Sequence, residues 1–230
     1  MHILFVPVKY KVELQYSTMD TVYVNTPSNL CIFATVQYLD QAKQLFSFLK
    51  EKGKKVFLPK PKVHALEAGQ VLGCDPSGPI SVAARVDAFV YIGDGKFHPL
   101  AVAYQTKKPI FIVNPINQSF SVLDNSEVNR YEKTQYVRLS RFEAAQRIGI
   151  LVSTKKGQAN PTLAKILEKK IQDSKKEAYI FMFDTLSPET LSDFREIDFW
   201  INTACPRIAI DDYSRFEKPI INAESFLKLL

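Results

Sequence analysis

Leu30-Cys31-Ile32-Phe33-Ala34-Thr35-Val36-Gln37 is a short apolar run ending in a polar turn, and Ile148-Gly149-Ile150-Leu151-Val152-Ser153-Thr154 has the same form. After the first run, Leu39, Ala42, Leu45, Phe46 and Leu49 recur at helical spacing over residues 38–52. Gly53 ends that helix, and Lys55-Val56-Phe57-Leu58-Pro59 reads as the next strand. After the second run, 155–158 is a turn, 161–173 a helix with Leu163, Ile166, Leu167 and Ile171 inward, and 178–183 a strand. Further on, 86–92 parallels 197–201, and 108–114 parallels 218–222. Asp87 and Lys108 are 21 residues apart, Asp198 and Lys218 20. One unit is written twice.

Strands alternating with helices through short polar turns give parallel sheets with helices on both faces. The expected fold is therefore α/β, with two similar small domains, each a parallel sheet flanked by helices. They occupy residues 22–122 and 147–230, and the polar stretch 123–146 is a connecting helix. Residues 1–14 do not begin a repeat and read as a final strand without its preceding elements. Residues 1–21 are accordingly expected to be the terminal strand and linker of a domain that would come before.

With 230 residues and 46% hydrophobic content, the chain can bury one large core or two small ones. No apolar run approaches the roughly 18–20 residues needed to span a bilayer. Met1-His2-Ile3-Leu4-Phe5-Val6-Pro7-Val8 lacks the charged start and small-residue cleavage site of a signal peptide. Three cysteines, an odd number without framework spacing, point to a reducing, cytoplasmic compartment. The net charge of +6 is concentrated in lysines at 50–55 and 165–170, helix ends where cations suit the C-terminal dipole. Attraction to an RNA-rich partner is the competing reading; no membrane and no direct nucleic-acid contact are expected.

In open parallel sheets, sites gather at the carboxyl ends of strands. Cys74, in Gly73-Cys74-Asp75-Pro76, and Cys205, in Ala204-Cys205-Pro206-Arg207, both sit where an apolar run has to turn, whereas Cys31 reads as a small strand hydrophobe. Gly93-Asp94-Gly95-Lys96-Phe97-His98 follows a strand: its glycines let backbone N–H groups approach a ligand, Asp94 accepts, and His98 titrates. A tight turn with a satisfied surface histidine is the alternative. Ser153, Lys155, Gly157 and Gln158 offer a hydroxyl, a cation and backbone to an anion, without the order of a P-loop. Arg207 can grip a carboxylate or lower a thiol pKa; its alternative is an ion pair with Asp211 or Asp212. No C-x-x-C pair exists and His2, His64 and His98 are scattered, so a structural zinc site is not expected. Nucleophilic cysteine catalysis has no motif behind it. Widely spaced, turn-borne thiols suit an iron–sulfur cluster better, though two are too few.

Four stretches together, Gln70–Cys74, Tyr91–Pro99, Leu151–Gln158 and Asn202–Asp211, resemble the diphthamide-synthesis radical enzymes of archaea and eukaryotes, the 2-(3-amino-3-carboxypropyl)histidine synthase family. The resemblance runs along nearly the whole chain. It implies three similar α/β domains, each giving one cysteine to a 4Fe-4S cluster, of which this chain holds the second and third. It further implies transfer of a 3-amino-3-carboxypropyl group from S-adenosylmethionine to a histidine of translation elongation factor 2. Cys74 and Cys205 would be the second and third cluster ligands. Gly93, Asp94, Gly95, Phe97, His98, Ser153, Lys155, Gly157 and Gln158 would line the S-adenosylmethionine pocket, with Arg207 and His98 as candidate catalytic groups. Partners implied are elongation factor 2, an electron donor and a second copy or homologous subunit.

The chain departs from that pattern in lacking the domain with the first cysteine. Cys31 falls inside the first repeat's opening strand, where the family has an ordinary apolar residue. Two other readings stand beside the enzyme: a non-catalytic subunit supporting a three-cysteine partner, and a generic nucleotide-binding α/β module.

Overall fold

The structure is a computed structural model that describes residues 6–229. The chain folds as two compact units, Met1–Asn129 and Arg130–Leu230. The first contains α1 (Tyr16–Asn25), β1 (Asn29–Ala34), α2 (Leu39–Glu51), β2 (Lys55–Phe57), α3 (Ser77–Ser81), β3 (Ala88–Ile92), α4 (Phe97–Thr106), β4 (Ile110–Asn114) and β5 (Ser119–Val122). Helix α5 (Asn125–Ala144) starts in the first unit and lies mostly in the second. The second continues with β6 (Arg147–Ser153), α6 (Pro161–Asp173), β7 (Glu177–Phe183), α7 (Pro188–Leu191), β8 (Phe199–Asn202), α8 (Arg207–Ile210), β9 (Ile220–Asn222) and α9 (Ala223–Leu229).

Among the described residues, the sheets run β2-β1-β3-β4-β5 and β7-β6-β8-β9. The first four strands of one repeat the order of the other, and all of these pairs are parallel. The duplicated α/β architecture expected from the sequence is thus what forms. Strand β1 shows why. Leu30, Ile32 and Ala34 face one core with Leu39, Leu45 and Leu49 of α2, while Cys31 and Phe33 face another with Val102 of α4. Residues 30–34 are all buried, as a central parallel strand covered on both faces requires. In the second unit, Ile148, Ile150 and Val152 pack on Leu167 and Ile171 of α6, and Leu151 packs on the opposite face with Trp200. Asn160 caps α6 by accepting from the Leu163 N–H at 3.0 Å, with proline at the first helical position.

Two elements differ from expectation. The strand read over 1–14 falls partly on residues 1–5, which lie outside the described residues; from 6 to 15 the chain pairs with no strand. It is tied down instead by glutamines: Gln41 Nε2 donates to the carbonyls of Tyr10 and Val12, and Gln44 both accepts from the Leu14 N–H and donates to its carbonyl. The stretch after it, read as linker, holds α1, which buries Thr18, Met19 and Val22. At the far edge, β5 adds an antiparallel strand to β4 that the parallel pattern had not suggested. Among the described residues, no helix is long and apolar enough to cross a membrane.

Candidate functional site

In the first unit, strand order reverses between β1 and β3, which opens a crevice beyond their carboxyl ends. Gly93 leaves β3 with φ 155°, and a β-carbon there would meet the Tyr91 hydroxyl at 2.5 Å, so only glycine fits. The buried Tyr91 hydroxyl donates to the Asp94 carbonyl at 3.2 Å and lies 3.4 Å from His98 Nδ1. Its ring stacks on that of His98, with centroids 6.0 Å apart, and Phe97 meets His98 edge-on at 5.2 Å. Tyr38, just beyond β1, is 2% exposed, and among the described residues its hydroxyl finds no hydrogen-bond partner. Burial, with the charge of Asp94 and the neighbouring Tyr10, pushes the Tyr38 phenol upward. A buried hydroxyl left unsatisfied in a ligand crevice suits a ligand that satisfies it.

Cys74 is half-buried in a two-residue turn, Gly73-Cys74, closed by paired backbone bonds between Leu72 and Asp75. Phe97 lies against that turn: a β-carbon on Gly73 would fall 1.9 Å from its ring. The Gly73 end of the cysteine turn, Phe97 and His98 are thus packed in succession. Asp75, buried, anchors the whole turn. Its Oδ2 accepts from the N–H groups of Val63, His64 and Ala65, at 3.3, 2.6 and 2.9 Å, and Oδ1 accepts from the Ser77 N–H and hydroxyl. Burial opposes the carboxylate, but the Ser77 hydroxyl and the N–H groups of Ala65, His64 and Ser77 outweigh it and hold the acid below its ordinary range. Cys31, by contrast, is fully buried, and burial pushes its thiol upward.

In the second unit, Ser153 ends β6 and its hydroxyl accepts from the Lys155 N–H at 3.1 Å. The Gln158 N–H returns to the Lys155 carbonyl, closing a turn that carries Gly157. Cys205 is half-buried on the adjacent strand end, just after β8. Two buried asparagines hold its loop. Asn202 Nδ2 donates to the Cys205 carbonyl at 2.9 Å and to Asn222 Oδ1 at 2.8 Å, and Asn222 Nδ2 donates to the Pro206 carbonyl at 2.9 Å. Arg207, with its side chain 62% exposed, pairs with Asp211 one helical turn on, as the alternative reading had it. Asp75, Asn202, Asn222 and Tyr38 had gone unassigned as positioning groups.

Residues 1–229 match the family model described as "Putative diphthamide synthesis protein". The chain belongs to the diphthamide synthesis protein family. Within that family, it is similar to the 2-(3-amino-3-carboxypropyl)histidine synthase of Methanocaldococcus jannaschii, 30% identical over 82% of this chain and 55% of that protein. Subunit 1 of the Schizosaccharomyces pombe synthase is 29% identical over 95% of this chain and 51% of that protein. The crystal structure of Dph2 from Pyrococcus horikoshii with a 4Fe-4S cluster superposes with a TM-score of 0.87 at 26% identity, covering 98% of this chain and 65% of that one. The chain thus spans about half the length of the curated relatives it matches.

Against a family with a cluster-bearing member, the thiols here fit in kind. Cys74 and Cys205 sit half-buried on turns, one in each unit, Cys74 past the Gln70 bridge to the end of β1 and Cys205 just after β8. In number they fall short: among the described residues, no three Cys, His, Asp or Glu side chains gather as a metal-holding group.

Proposed function

We propose that this chain acts in the first step of diphthamide synthesis. In that step, a 3-amino-3-carboxypropyl group passes from S-adenosylmethionine to an imidazole carbon of a histidine in elongation factor 2. The observation that carries the reading is the pair of turn-borne cysteines, one in each copy of a duplicated unit, Cys74 in the turn that follows the Gln70 bridge to the end of β1 and Cys205 just after β8, within a chain that belongs to this family along its length. Cys74 and Cys205 each supply one thiolate to a 4Fe-4S cluster. When bound, the cluster supplies the electron that opens a carbon–sulfur bond of the sulfonium.

This chain's own residues hold and orient. Asp75 fixes the Cys74 turn, and Asn202 with Asn222 fixes the Cys205 turn, so each thiol is presented from a rigid loop. The Gly93–His98 turn and the Ser153, Lys155, Gly157 and Gln158 turn receive S-adenosylmethionine. Their backbone N–H groups and Lys155 suit its carboxylate, and Asp94 its hydroxyls or amine. Which bond opens depends on which carbon these turns bring forward. Arg207, two residues after Cys205, and His98, stacked on Tyr91, are the groups proposed to act on the reacting molecule. The protein works in the cytoplasm, with an electron donor, on elongation factor 2.

A second reading has its own support. With Cys31 sealed in β1, the chain offers only two accessible thiols, which favours assembly with a homologous subunit that carries three. The test mixes the purified chain, with and without such a subunit, with elongation factor 2, a reductant and S-adenosylmethionine labelled in its carboxypropyl group. Label on the factor that depends on this chain supports the proposal. Label that appears at the same rate without the chain overturns it.

A further inference from the structure

The second unit contains a concave site that the strand-end turns do not use. A cavity of about 400 Å³ lies between α5 and the segment 213–220 that leads into β9. Because β8 and β9 are parallel, this entry to β9 is at the opposite end of the sheet from the Cys205 turn. Five cations line the cavity: Arg130, Lys133, Arg138 and Arg141 from α5, and Lys218; the lining residues include one acid, Glu217. On α5, positions 130, 133, 134, 137, 138 and 141 step by threes and fours and share one helix face. The ion pairs among the described residues include none of these five cations.

Arg138 is the unusual member. It is 7% exposed, its Nη1 donates to the Ala209 carbonyl at 2.5 Å, and its guanidinium lies 4.4 Å from the centroid of the Tyr213 ring. Those contacts compensate part of a buried charge but bring no counter-charge. Burial lowers its pKa, as expected of a cation that lacks one. A guanidinium fork backed by four more cations in a concavity raises the local potential and suits an anion of more than one charge. Phe216, Pro219 and Ile220 give the same cavity an apolar wall, and its volume falls in the range of small-ligand sites.

We propose that this cavity binds a small polyphosphate ligand of the nucleoside di- or triphosphate class, with its phosphates on the α5 cations and its apolar portion against Phe216 and Pro219. The site is independent of the cysteine turns and stands whether or not they hold a cluster.

Calorimetric titration of the full chain with ATP, inorganic tripolyphosphate and a short single-stranded RNA tests it. Saturable binding of ATP or tripolyphosphate at one site is expected, weakening as salt is raised. Lys133→Ala/Arg141→Ala should lower that affinity by about tenfold or more, whereas Lys169→Ala/Lys170→Ala on exposed α6 should change it by less than about twofold. Arg138→Gln should abolish binding, and the two rim substitutions keep the test valid if that variant fails to fold. Absence of saturable binding, an equal loss in the α6 control, or binding of RNA with neither small phosphate overturns the proposal.

Discussion

The Phe97 ring rests on Gly73, one residue before Cys74. A β-carbon built on Gly73 would fall 1.9 Å from the ring, so the first residue of α4 and the cysteine turn are packed as one piece. A methyl group at position 73 must push the ring or the turn aside. Gly73→Ala should cost about 1–3 kcal/mol in urea unfolding, as overpacking does. Phe97→Leu in the same chain should recover part of that loss, because the two positions are coupled. Equal losses in Gly73→Ala with and without Phe97→Leu would remove the contact from the account.

Asp75 ties the 63–65 segment to the Cys74 turn through three backbone N–H groups. Asp75→Asn keeps the shape but loses the charge that strengthens those bonds, at about 1.5–3 kcal/mol. Trypsin should then cut faster after Lys62, with cleavage at Lys169 and Lys170 in the other unit unchanged. An unaltered cleavage pattern would show that the loop is held by something else.

Asn202 and Asn222 hold the Cys205 and Pro206 carbonyls. Asn202→Ala should loosen that loop and speed alkylation of Cys205 by iodoacetamide, measured by mass spectrometry. Cys74, in the first unit, serves as the internal reference and should react as before.

Asp198 accepts from the Arg147 and Gln146 N–H groups at 2.8 and 3.0 Å, and chiefly the Arg147 bond, with Gln146 and the charges of Arg147 and Lys218 adding, holds its carboxyl below the ordinary range. A depressed acid stabilises the fold above its unfolded pKa, about 3.9, and loses that contribution as pH falls through the lower folded value. Asp198→Asn should therefore flatten the acid limb of the stability curve below about pH 4 and leave its slope near neutrality unchanged. Asp198 is half-buried at the surface, where solvent still screens its charge, so the change should be small. A mutant curve of unchanged acid slope would contradict it.

The duplicated architecture could be read from sequence because its strands are buried on both faces: Leu30–Ala34 and Ile148–Val152 have no solvent side to disguise them. The segments misread are those whose structure comes from elsewhere. Val6 and Val8 look like a strand but are exposed, and the chain there is positioned by glutamines of α2. Helix α1 has weak amphipathic character and no side-chain cap at Gln15, so nothing local announces it. Strand β5 is an edge strand with little burial. At the site, the turns stood out through Gly, Pro and Cys, and the Arg207–Asp211 pair through its spacing of four. Asp75, Asn202 and Tyr38 did not, since their roles rest on backbone groups or on burial that only the folded chain brings about.

Whether Cys74 and Cys205 hold iron is tested most directly by iron and acid-labile sulfide content after anaerobic reconstitution, with a small thiol in place of the third thiolate. The wild-type chain and Cys31→Ala should both acquire iron and an iron–sulfur absorption band. Cys74→Ser and Cys205→Ser should each lose both. Undiminished iron and sulfide in the Cys74→Ser/Cys205→Ser double variant would contradict the account.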